Sequence, residues 1–209
     1  MAVCALVAAS DFNEEDFCAR WKAGGFDYII AIDAGFASLS RVGCQPDVVV
    51  GDFDSLGYVP EGVTVERHPV HKDKSDLELT LDLIAMRGFE SVVIYGALGA
   101  RLDHTIANLQ MCARFAEEGI GVQLVGLDSV VTILVGPSEL ALPARQAGTV
   151  SVFSAVPMSH GVTEWGLEYP LENANLSNRT TLGLSNEFVG TEAVVSVESG
   201  TLYVFHPVG

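Results

Sequence analysis

The chain has 209 residues, of which 49% are hydrophobic, and a formal net charge of −16. This length and hydrophobic content allow one large core or two modest ones, and we expect two. Nucleic acids and anionic membranes are bound through clusters of Lys and Arg, so the acidic balance argues against both as partners. It does not exclude ATP, because local basic residues and a metal ion can offset the negative field.

The cysteines Cys4, Cys18, Cys44 and Cys112 are widely spaced and form no C-x-x-C pair. This spacing predicts neither a zinc site nor a disulfide framework, and a reduced cytosol is the simplest location. The apolar opening at residues 2–9 lacks a basic flank and runs directly into acidic residues. It therefore predicts a first strand rather than a signal peptide or membrane span, and we expect a cytoplasmic protein.

The first half of the chain alternates predicted strands with predicted helices. Strands are predicted at residues 2–9, 26–32, 47–50, 63–66, 91–95 and 122–125, and helices at residues 14–23, up to 41, 75–87 and 103–118. The helix after Ser75 begins with a capping box, in which Ser75 and Glu78 satisfy free amides, and Gly88 ends it. Such alternation implies a parallel sheet with helices on both faces, a Rossmann-like α/β domain over residues 1–127.

After about residue 127 the helical period disappears. Strands are predicted at residues 129–135, 149–156, 161–165, 193–197 and 201–205. Gly136-Pro137 is interpreted as a hairpin turn between strands. This half therefore predicts an all-β domain, a sandwich or roll, over residues 128–209.

Two acids follow the strand predicted at residues 47–50. Successive side chains of an extended chain point to opposite faces, so Asp52 and Asp54 point the same way, with Cα atoms roughly 7 Å apart. Mg²⁺ takes oxygen ligands, usually one or two carboxylates together with water and substrate phosphate. The pair suits a cation site, although strand ends also carry Asp for solvation and local hydrogen bonds.

Other charged residues are predicted at the same edge of the sheet, where ligands of parallel α/β sheets bind. The acids placed there are Asp33, Asp52, Asp54, Asp76 and Asp103, beside the basic residues Lys72, Lys74 and Arg101. Asp76 in a first helical turn and Asp103 at a predicted N-cap also suit free amides and the helix dipole. Together, however, the acids would repel one another, and a divalent ion with a phosphate chain would relieve that repulsion.

The sequence lacks the common phosphate-binding loops. There is no G-x-x-x-x-G-K-[ST] loop and no G-x-G-x-x-G after the first strand. We therefore expect phosphate to be held by Mg²⁺, by Arg101, by amides of residues 96–99 and by the helix start at Asp103. The Gly96 and Gly99 spacing becomes specific when it is joined to Arg101, Asp103 and His104.

These motifs resemble those of bacterial-type thiamine pyrophosphokinases. The matching segments are residues 33–35, 51–55, 73–78, 96–108, 166–171 and 183–188, in family order over nearly the whole chain. The chain departs from the family pattern at two places. Ala8-Ala9-Ser10 stands where many relatives have glycines, and Ala100 replaces a second glycine after Gly99.

The resemblance implies transfer of an intact diphosphoryl group from ATP to the hydroxyethyl oxygen of thiamine, giving thiamine diphosphate and AMP. It implies Mg²⁺ as the cofactor, held by Asp52, Asp54 and Asp76, with Asp103 as a further metal ligand or as proton acceptor. Arg101, with Lys74 as a weaker candidate, would stabilise the phosphate oxygens. The implied ATP-binding residues are Asp33, Gly35, Lys74, Gly96, Gly99, Arg101, His104 and Asn108.

For thiamine, the resemblance points to the turn at Ser185 and Asn186. Ser185 would bond the aminopyrimidine, Phe188 would offer an aromatic face to the cationic thiazolium, and Asp54 would also contact this substrate. An Asn in a turn is also ordinary, and Phe188 or Trp165 equally suits a core. The resemblance further implies a homodimer whose sites combine the α/β domain of one subunit with the β domain of the other.

Three other functions compete with this one. Diphosphoryl transfer to another alcohol, such as a hydroxymethylpterin, is disfavoured by the motif around Ser185. A non-catalytic nucleotide or metal sensor with the same fold is disfavoured by the intact set of acids. A metal-dependent phosphatase of the haloacid dehalogenase type also begins with Asp-x-Asp, but residues 55–57 do not continue its motif.

Overall fold

The computed structural model describes residues 2–51, 53, 57–67, 74–99 and 101–209, so the predictions for Asp52 and Asp54 lie outside the described residues. The chain divides into two compact units. One comprises Met1–Met111 and Gly119–Leu127, and the other comprises Cys112–Glu118 and Asp128–Gly209. In the part of the chain that is described, no helix is both long and apolar enough to cross a membrane.

The first unit is built from alternating strands and helices. Its elements are β1 (Val3–Val7), α1 (Glu14–Lys22), β2 (Tyr28–Ile32), α2 (Gly35–Arg41), β3 (Val48–Gly51), β4 (Thr64–Arg67), α3 (Asp76–Arg87), β5 (Ser91–Tyr95), α4 (Leu102–Glu117) and β6 (Gly121–Val125). The last turns of α4 group with the second unit.

The strands of the first unit form a parallel sheet in the order β6-β5-β1-β2-β3-β4. The chain runs outward from β1 through β2, β3 and β4, and then returns to the opposite side of β1 as β5. This reversal creates a topological switch point between β1 and β5, where ligands of open parallel sheets bind. The predicted α/β unit with a parallel sheet is confirmed, whereas a Rossmann-like arrangement with helices on both faces stays a prediction.

Local sequence signals explain where α3 begins and ends. Ser75 is the N-cap, and its hydroxyl accepts a hydrogen bond from the Glu78 amide at 3.2 Å. Gly88 ends the helix with a φ of 76°, a left-handed conformation that favours glycine. The Ser75 cap and the Gly88 stop are therefore confirmed, whereas the return bond from the Glu78 side chain to the Ser75 amide stays a prediction. Helix α4 begins at Leu102, one position earlier than the sequence predicts.

The second unit is dominated by strands. They are β7 (Ser129–Val135), β8 (Ser138–Leu142), β9 (Thr149–Ser154), β10 (Met158–Trp165), β11 (Leu171–Ser177), β12 (Asn186–Glu187), β13 (Ala193–Val197) and β14 (Thr201–Pro207). They form two antiparallel groups, in the orders β12-β9-β14-β7 and β11-β10-β13-β8. Buried side chains from both groups make one hydrophobic core, among them Val152, Val204, Val162 and Val195.

Two predictions for this unit need correction. Strands β8, β11 and β12 were not predicted from the sequence. Many of their exposed positions carry polar residues, which weaken the apolar pattern. Gly136-Pro137 was expected to close a hairpin, but β7 pairs with β14 whereas β8 pairs with β13 of the other group. A Gly-Pro signal marks a change of chain direction and does not encode which sheet the next strand joins.

Candidate functional site

A cavity of about 580 Å³ lies in the first unit at the switch point of its parallel sheet. Its walls come from the segments that follow β1, β2 and β5 and from the first turns of α3 and α4. The predicted site residues that line it are Asp33, Asp76, Gly96, Arg101, His104 and Asn108. The structure thus brings together residues that are widely separated in the chain.

Several residues that were not among the predicted site residues also form the cavity wall. Ala8, Ala9 and Ser10 line it directly, although they depart from the glycines common in the resembling family. Thr105 lines it as well, and its hydroxyl accepts a hydrogen bond from the Gly99 amide at 3.4 Å. The signal for Ala8 to Ser10 was their position immediately after a central strand of the sheet.

Asp33 organises the backbone beside this cavity. It adopts a φ of 46°, its amide donates to the Val50 carbonyl at 2.9 Å, and its Oδ1 accepts from the Phe53 amide at 3.3 Å. A Cβ at Gly51 would lie only 1.9 Å from Asp33 Oδ1. Asp33 therefore holds the backbone at Phe53, and Gly51 is required so that this carboxylate can approach.

Gly35 and Gly96 permit close backbone packing around the end of β1. A Cβ at Gly96, whose φ is 68°, would lie 2.3 Å from the Ala8 carbonyl oxygen. A Cβ at Gly35 would lie 1.9 Å from the Val7 carbonyl oxygen. The Ser10 amide also donates to the Gly96 carbonyl at 2.9 Å. Gly96 therefore shapes the cavity wall directly, whereas Gly35 does not line the cavity and packs against the backbone at the end of β1.

The two predicted site residues near the start of α3, Asp76 and Lys74, have different surroundings. Asp76 is the first residue of the helix and lines the cavity. Lys74 is turned toward its own helix, where its Nζ lies 2.6 Å from Asp82 Oδ2 and 3.8 Å from Glu78 Oε1. Lys74 is not part of the cavity wall in the described chain, so contact with a phosphate there requires its side chain to move.

The start of α4 holds an exposed ion pair. Arg101 donates to Asp103 through Nη2 at 2.6 Å and through Nε at 3.2 Å, and both side chains are more than 60% exposed. The hydrogen bonds from Arg101 lower the pKa of Asp103 to about 2. Asp103 is the second residue of α4 rather than the expected N-cap, because the helix starts at Leu102 and the Thr105 amide donates to the Arg101 carbonyl at 3.0 Å.

Asn108 ties α4 to the loop after β5. Its Nδ2 donates to the Ala97 carbonyl at 2.7 Å, and both residues line the cavity. His104 lies one turn earlier on the same wall. The side-chain amide of Asn108 therefore fixes the helix against the glycine loop that sequence analysis assigned to phosphate binding.

The described residues test the expected magnesium site only in part. Among them, no group of three or more Asp, Glu, His or Cys side chains is arranged to hold a metal ion. Asp76 supplies a carboxylate at the cavity, and Asp103 supplies one beside Arg101. These oxygen donors fit Mg²⁺, which commonly takes one or two carboxylates and completes its shell with water and phosphate.

The turn predicted to bind thiamine lies in the second unit. Ser185 is exposed, has a φ of 59°, and donates its amide to Ser151 Oγ at 3.1 Å. Phe188 was expected to offer an aromatic face, but it is 5% exposed and belongs to the hydrophobic core. Trp165, which sequence analysis left open as core, is instead 62% exposed.

Asn186 is buried and joined to an acid that the sequence analysis missed. Its Nδ2 donates to Glu164 Oε2 at 2.8 Å. Glu164 is 1% exposed, and burial raises its pKa to about 7. The available signal was an acid placed two residues after the buried Val162 in a strand, which puts both side chains on the same face.

Comparisons with known proteins match both halves of the chain. The model for "Thiamin pyrophosphokinase, catalytic domain" matches residues 21–124, and that for "Thiamin pyrophosphokinase, vitamin B1 binding domain" matches residues 139–202. Thiamine pyrophosphokinase of Bacillus subtilis is 27% identical over 183 residues, covering 83% of this chain and 84% of that protein. Thiamin pyrophosphokinase 1 of Caenorhabditis elegans is 25% identical over 174 residues, covering 76% and 69%.

Solved structures extend this similarity to the fold. The crystal structure of thiamine pyrophosphokinase from Bacillus subtilis aligns with a TM-score of 0.82 at 23% identity, covering 99% of both chains. Thiamin pyrophosphokinase from Candida albicans aligns with a TM-score of 0.81 at 15% identity, covering 100% of this chain and 89% of that one. At these identities the structural likeness shows the fold alone.

Proposed function

Because the chain belongs to the thiamin pyrophosphokinase family, we propose that it transfers the terminal diphosphoryl group of ATP to the hydroxyethyl oxygen of thiamine, with thiamine diphosphate and AMP as products. One observation carries this proposal. Matches to a catalytic domain over residues 21–124 and to a vitamin B1 binding domain over residues 139–202 occur in a single chain, in that order. Both parts that this reaction needs are therefore represented.

ATP is proposed to bind in the cavity of the first unit. A volume of about 580 Å³ lies within the usual range for small-molecule sites. Arg101, His104 and Asn108 supply polar groups at the start of α4, whose free amides attract phosphate oxygens. Gly35, Gly96 and Gly99 act through the backbone in this proposal, and Lys74 reaches phosphate only after leaving Asp82.

The residues would promote the transfer mainly by positioning the reactants. The thiamine hydroxyl attacks the β-phosphorus in line as the bond to AMP breaks, and Arg101 offsets charge on the phosphate oxygens. Asp52, Asp54 and Asp76 would hold Mg²⁺, which when bound supplies further charge compensation. Asp103 acts as an additional ligand or as the acceptor of the hydroxyl proton, which requires an approach within about 3 Å.

Thiamine is proposed to contact Ser185 of the second unit, and in the proposed homodimer the partner's Asp54 would contact the same thiamine. The exposed Ser185 hydroxyl suits a hydrogen bond to the aminopyrimidine. Phe188 supports the turn from within the core, so its ring is not proposed as a contact surface. Asn186 takes part through its structural hydrogen bonds.

The assembly and location are also proposals. The family resemblance supports a homodimer whose sites are shared between subunits. All four cysteines are free thiols, which suits the reducing cytoplasm. Size-exclusion chromatography with light scattering measures the oligomeric state, and a monomer at working concentration would remove the dimer from the proposal.

Product identification tests the proposed function. The protein is incubated with ATP, Mg²⁺ and thiamine, and the nucleotides and thiamine esters are separated by liquid chromatography. AMP and thiamine diphosphate are expected in equal amounts. ADP or free phosphate would indicate another phosphotransferase or a hydrolase, and no turnover would indicate a sensor. A parallel reaction with a hydroxymethylpterin tests the alternative acceptor, for which no product is expected.

A further inference from the structure

Glu164 is a buried acid for which the proposed reaction gives no direct role. It lies on β10 and is 1% exposed. Its Oε2 accepts a hydrogen bond from Asn186, while its Oε1 has no hydrogen-bond partner among the described residues. Burying a carboxyl group with one unsatisfied oxygen costs stability, so a residue of this kind calls for a functional explanation.

The partner of Glu164 is a fully satisfied side chain. Asn186 Nδ2 donates to Glu164 Oε2 and to the Tyr169 carbonyl, both at 2.8 Å. Asn186 Oδ1 accepts from the amides of Tyr169 and Glu187, both at 2.9 Å. These four bonds link β10, the segment around Tyr169 and β12, and they use both hydrogens and both lone pairs of the amide. Of these four bonds, only the one that Asn186 donates to Glu164 has another side chain as its partner.

The residue next to Asn186 has a constrained backbone. Ser185 adopts a φ of 59°, which is uncommon for a residue with a Cβ and persists only where surrounding contacts enforce it. Its amide is held by Ser151 Oγ at 3.1 Å on one side, and the bonds of Asn186 fix the chain on the other. Within the described residues, the exposed Ser185 hydroxyl has no hydrogen-bond partner. The backbone of Ser185 is therefore constrained, while its hydroxyl stays open to a ligand.

We propose that Glu164 is a positioning residue for thiamine, which fixes the Asn186 amide and thereby orients the Ser185 hydroxyl toward the aminopyrimidine. This inference rests on the function proposed above and adds a residue that does not itself touch the substrate. Its distinguishing consequence is selective: loss of the Glu164 acceptor weakens thiamine binding and leaves the ATP cavity of the first unit unaffected.

Two substitutions at Glu164 separate hydrogen bonding from simple packing. Glu164→Met keeps a similar length without an acceptor, whereas Glu164→Gln keeps an acceptor for Asn186 Nδ2. Loss of one such bond is expected to raise the KM for thiamine about tenfold in Glu164→Met, with kcat and the KM for ATP within about twofold of the parent protein. Glu164→Gln is expected to restore the thiamine KM to within about twofold of the parent value.

A matched control and a second measurement make this test decisive. Glu139→Met replaces an exposed acid on β8 and is expected to leave both KM values unchanged. Ser185→Ala is combined with Glu164→Met in a double-mutant cycle. If Glu164 acts through Ser185, adding Glu164→Met to Ser185→Ala causes no further increase in the thiamine KM. If Glu164→Met does not fold, Glu164→Asp, which shortens the side chain by one methylene, is expected to show the same selective increase.

The outcomes distinguish this inference from the proposed function. If the parent protein forms thiamine diphosphate but Glu164→Met and Glu164→Asp leave the thiamine KM unchanged, the positioning role is wrong and the proposed function stands. An equal rise in the KM for ATP, or additive effects with Ser185→Ala, also overturns the positioning role. If the parent protein neither turns over nor binds thiamine in equilibrium dialysis, the proposed function fails and the inference fails with it.

Discussion

The two acids with the most informative surroundings, Asp103 and Glu164, lie in opposite environments. Asp103 is exposed at the start of α4, where the Arg101 guanidinium lowers its pKa to about 2. Glu164 is buried in the second unit, where loss of solvation raises its pKa to about 7. A solvated ionised carboxylate can exchange its arginine for a metal cation at small cost, and the released arginine can then bind phosphate oxygens. A buried carboxyl group acts through the geometry of one hydrogen bond.

Among the substitutions that test this comparison, Asp103→Asn is expected to have the largest effect, which is a loss of turnover. This substitution removes the charge while keeping the size, and loss of a catalytic carboxylate typically costs about 10²-fold to 10⁴-fold in rate. We expect turnover to fall by at least about 100-fold. The rate of AMP formation measures the effect. Near-normal turnover would remove Asp103 from the mechanism.

A matched measurement shows that this loss is not caused by unfolding. Because Asp103 is exposed and its partner is the exposed Arg101, we expect the melting temperature to stay nearly unchanged. Glu14→Gln serves as the control, since it also replaces an exposed acid that is paired with a surface cation, Arg41. The control is expected to retain most of its turnover.

The second effect is on the pH dependence of stability. Between pH 4.5 and about 7 the folded state keeps the proton of Glu164 while the unfolded state releases it. This difference lowers the stability as pH rises through that window, by up to about 3 kcal/mol in total. Glu164→Gln cannot ionise, so we expect it to remove this contribution.

Urea unfolding at pH 5 and pH 8 measures the difference. Relative to the parent protein, Glu164→Gln is expected to gain stability at pH 8 and to show little gain at pH 5. An equal change at both pH values would show that Glu164 does not titrate differently in the folded protein. Glu139→Gln, an exposed acid on β8, is the control and is expected to shift neither value.

The third effect is on ATP use and concerns the two hydrogen bonds that the Arg101 guanidinium donates to Asp103. The bidentate geometry that this guanidinium uses on Asp103 also suits two phosphate oxygens, and a lysine ammonium cannot reproduce it. We expect Arg101→Lys to lower kcat/KM for ATP about tenfold. Steady-state kinetics at saturating thiamine measure the change. A value within twofold of the parent would show that a point charge suffices.

The smallest effect is expected for Lys74. Its Nζ is paired with Asp82 and Glu78 on α3, and exposed pairs contribute less than about 1 kcal/mol to stability. We expect Lys74→Ala to change kcat/KM for ATP less than Arg101→Lys does. A larger loss would mean that Lys74 leaves Asp82 and binds phosphate during the reaction.

The cavity of the first unit is easier to predict from the sequence than the buried residues of the second unit. Strand ends, the Ser75 cap and the Gly88 stop are local signals, so the parallel sheet and the walls of its cavity follow from residue types and spacing. The roles of Gly51 and Gly96 depend on which carbonyl or carboxylate approaches them, and the chain pattern does not encode that approach.

The second unit was harder to predict because its signals are not local. Whether Phe188 is exposed or buried depends on packing between strands that are distant in the chain. A charged residue such as Glu164 is expected at the surface, yet Glu164 is buried and bonded to Asn186, which is 22 residues away in the chain. A Gly-Pro turn likewise gives no information about the sheet to which β8 belongs.

Transfer of an intact diphosphoryl group is tested most directly with ATP that carries ³²P at the β-position. The labelled ATP is incubated with the protein, Mg²⁺ and thiamine, and the products are separated before counting. We predict that the label appears in thiamine diphosphate and that the AMP is unlabelled. Label retained in ADP, with none in a thiamine ester, would contradict the account.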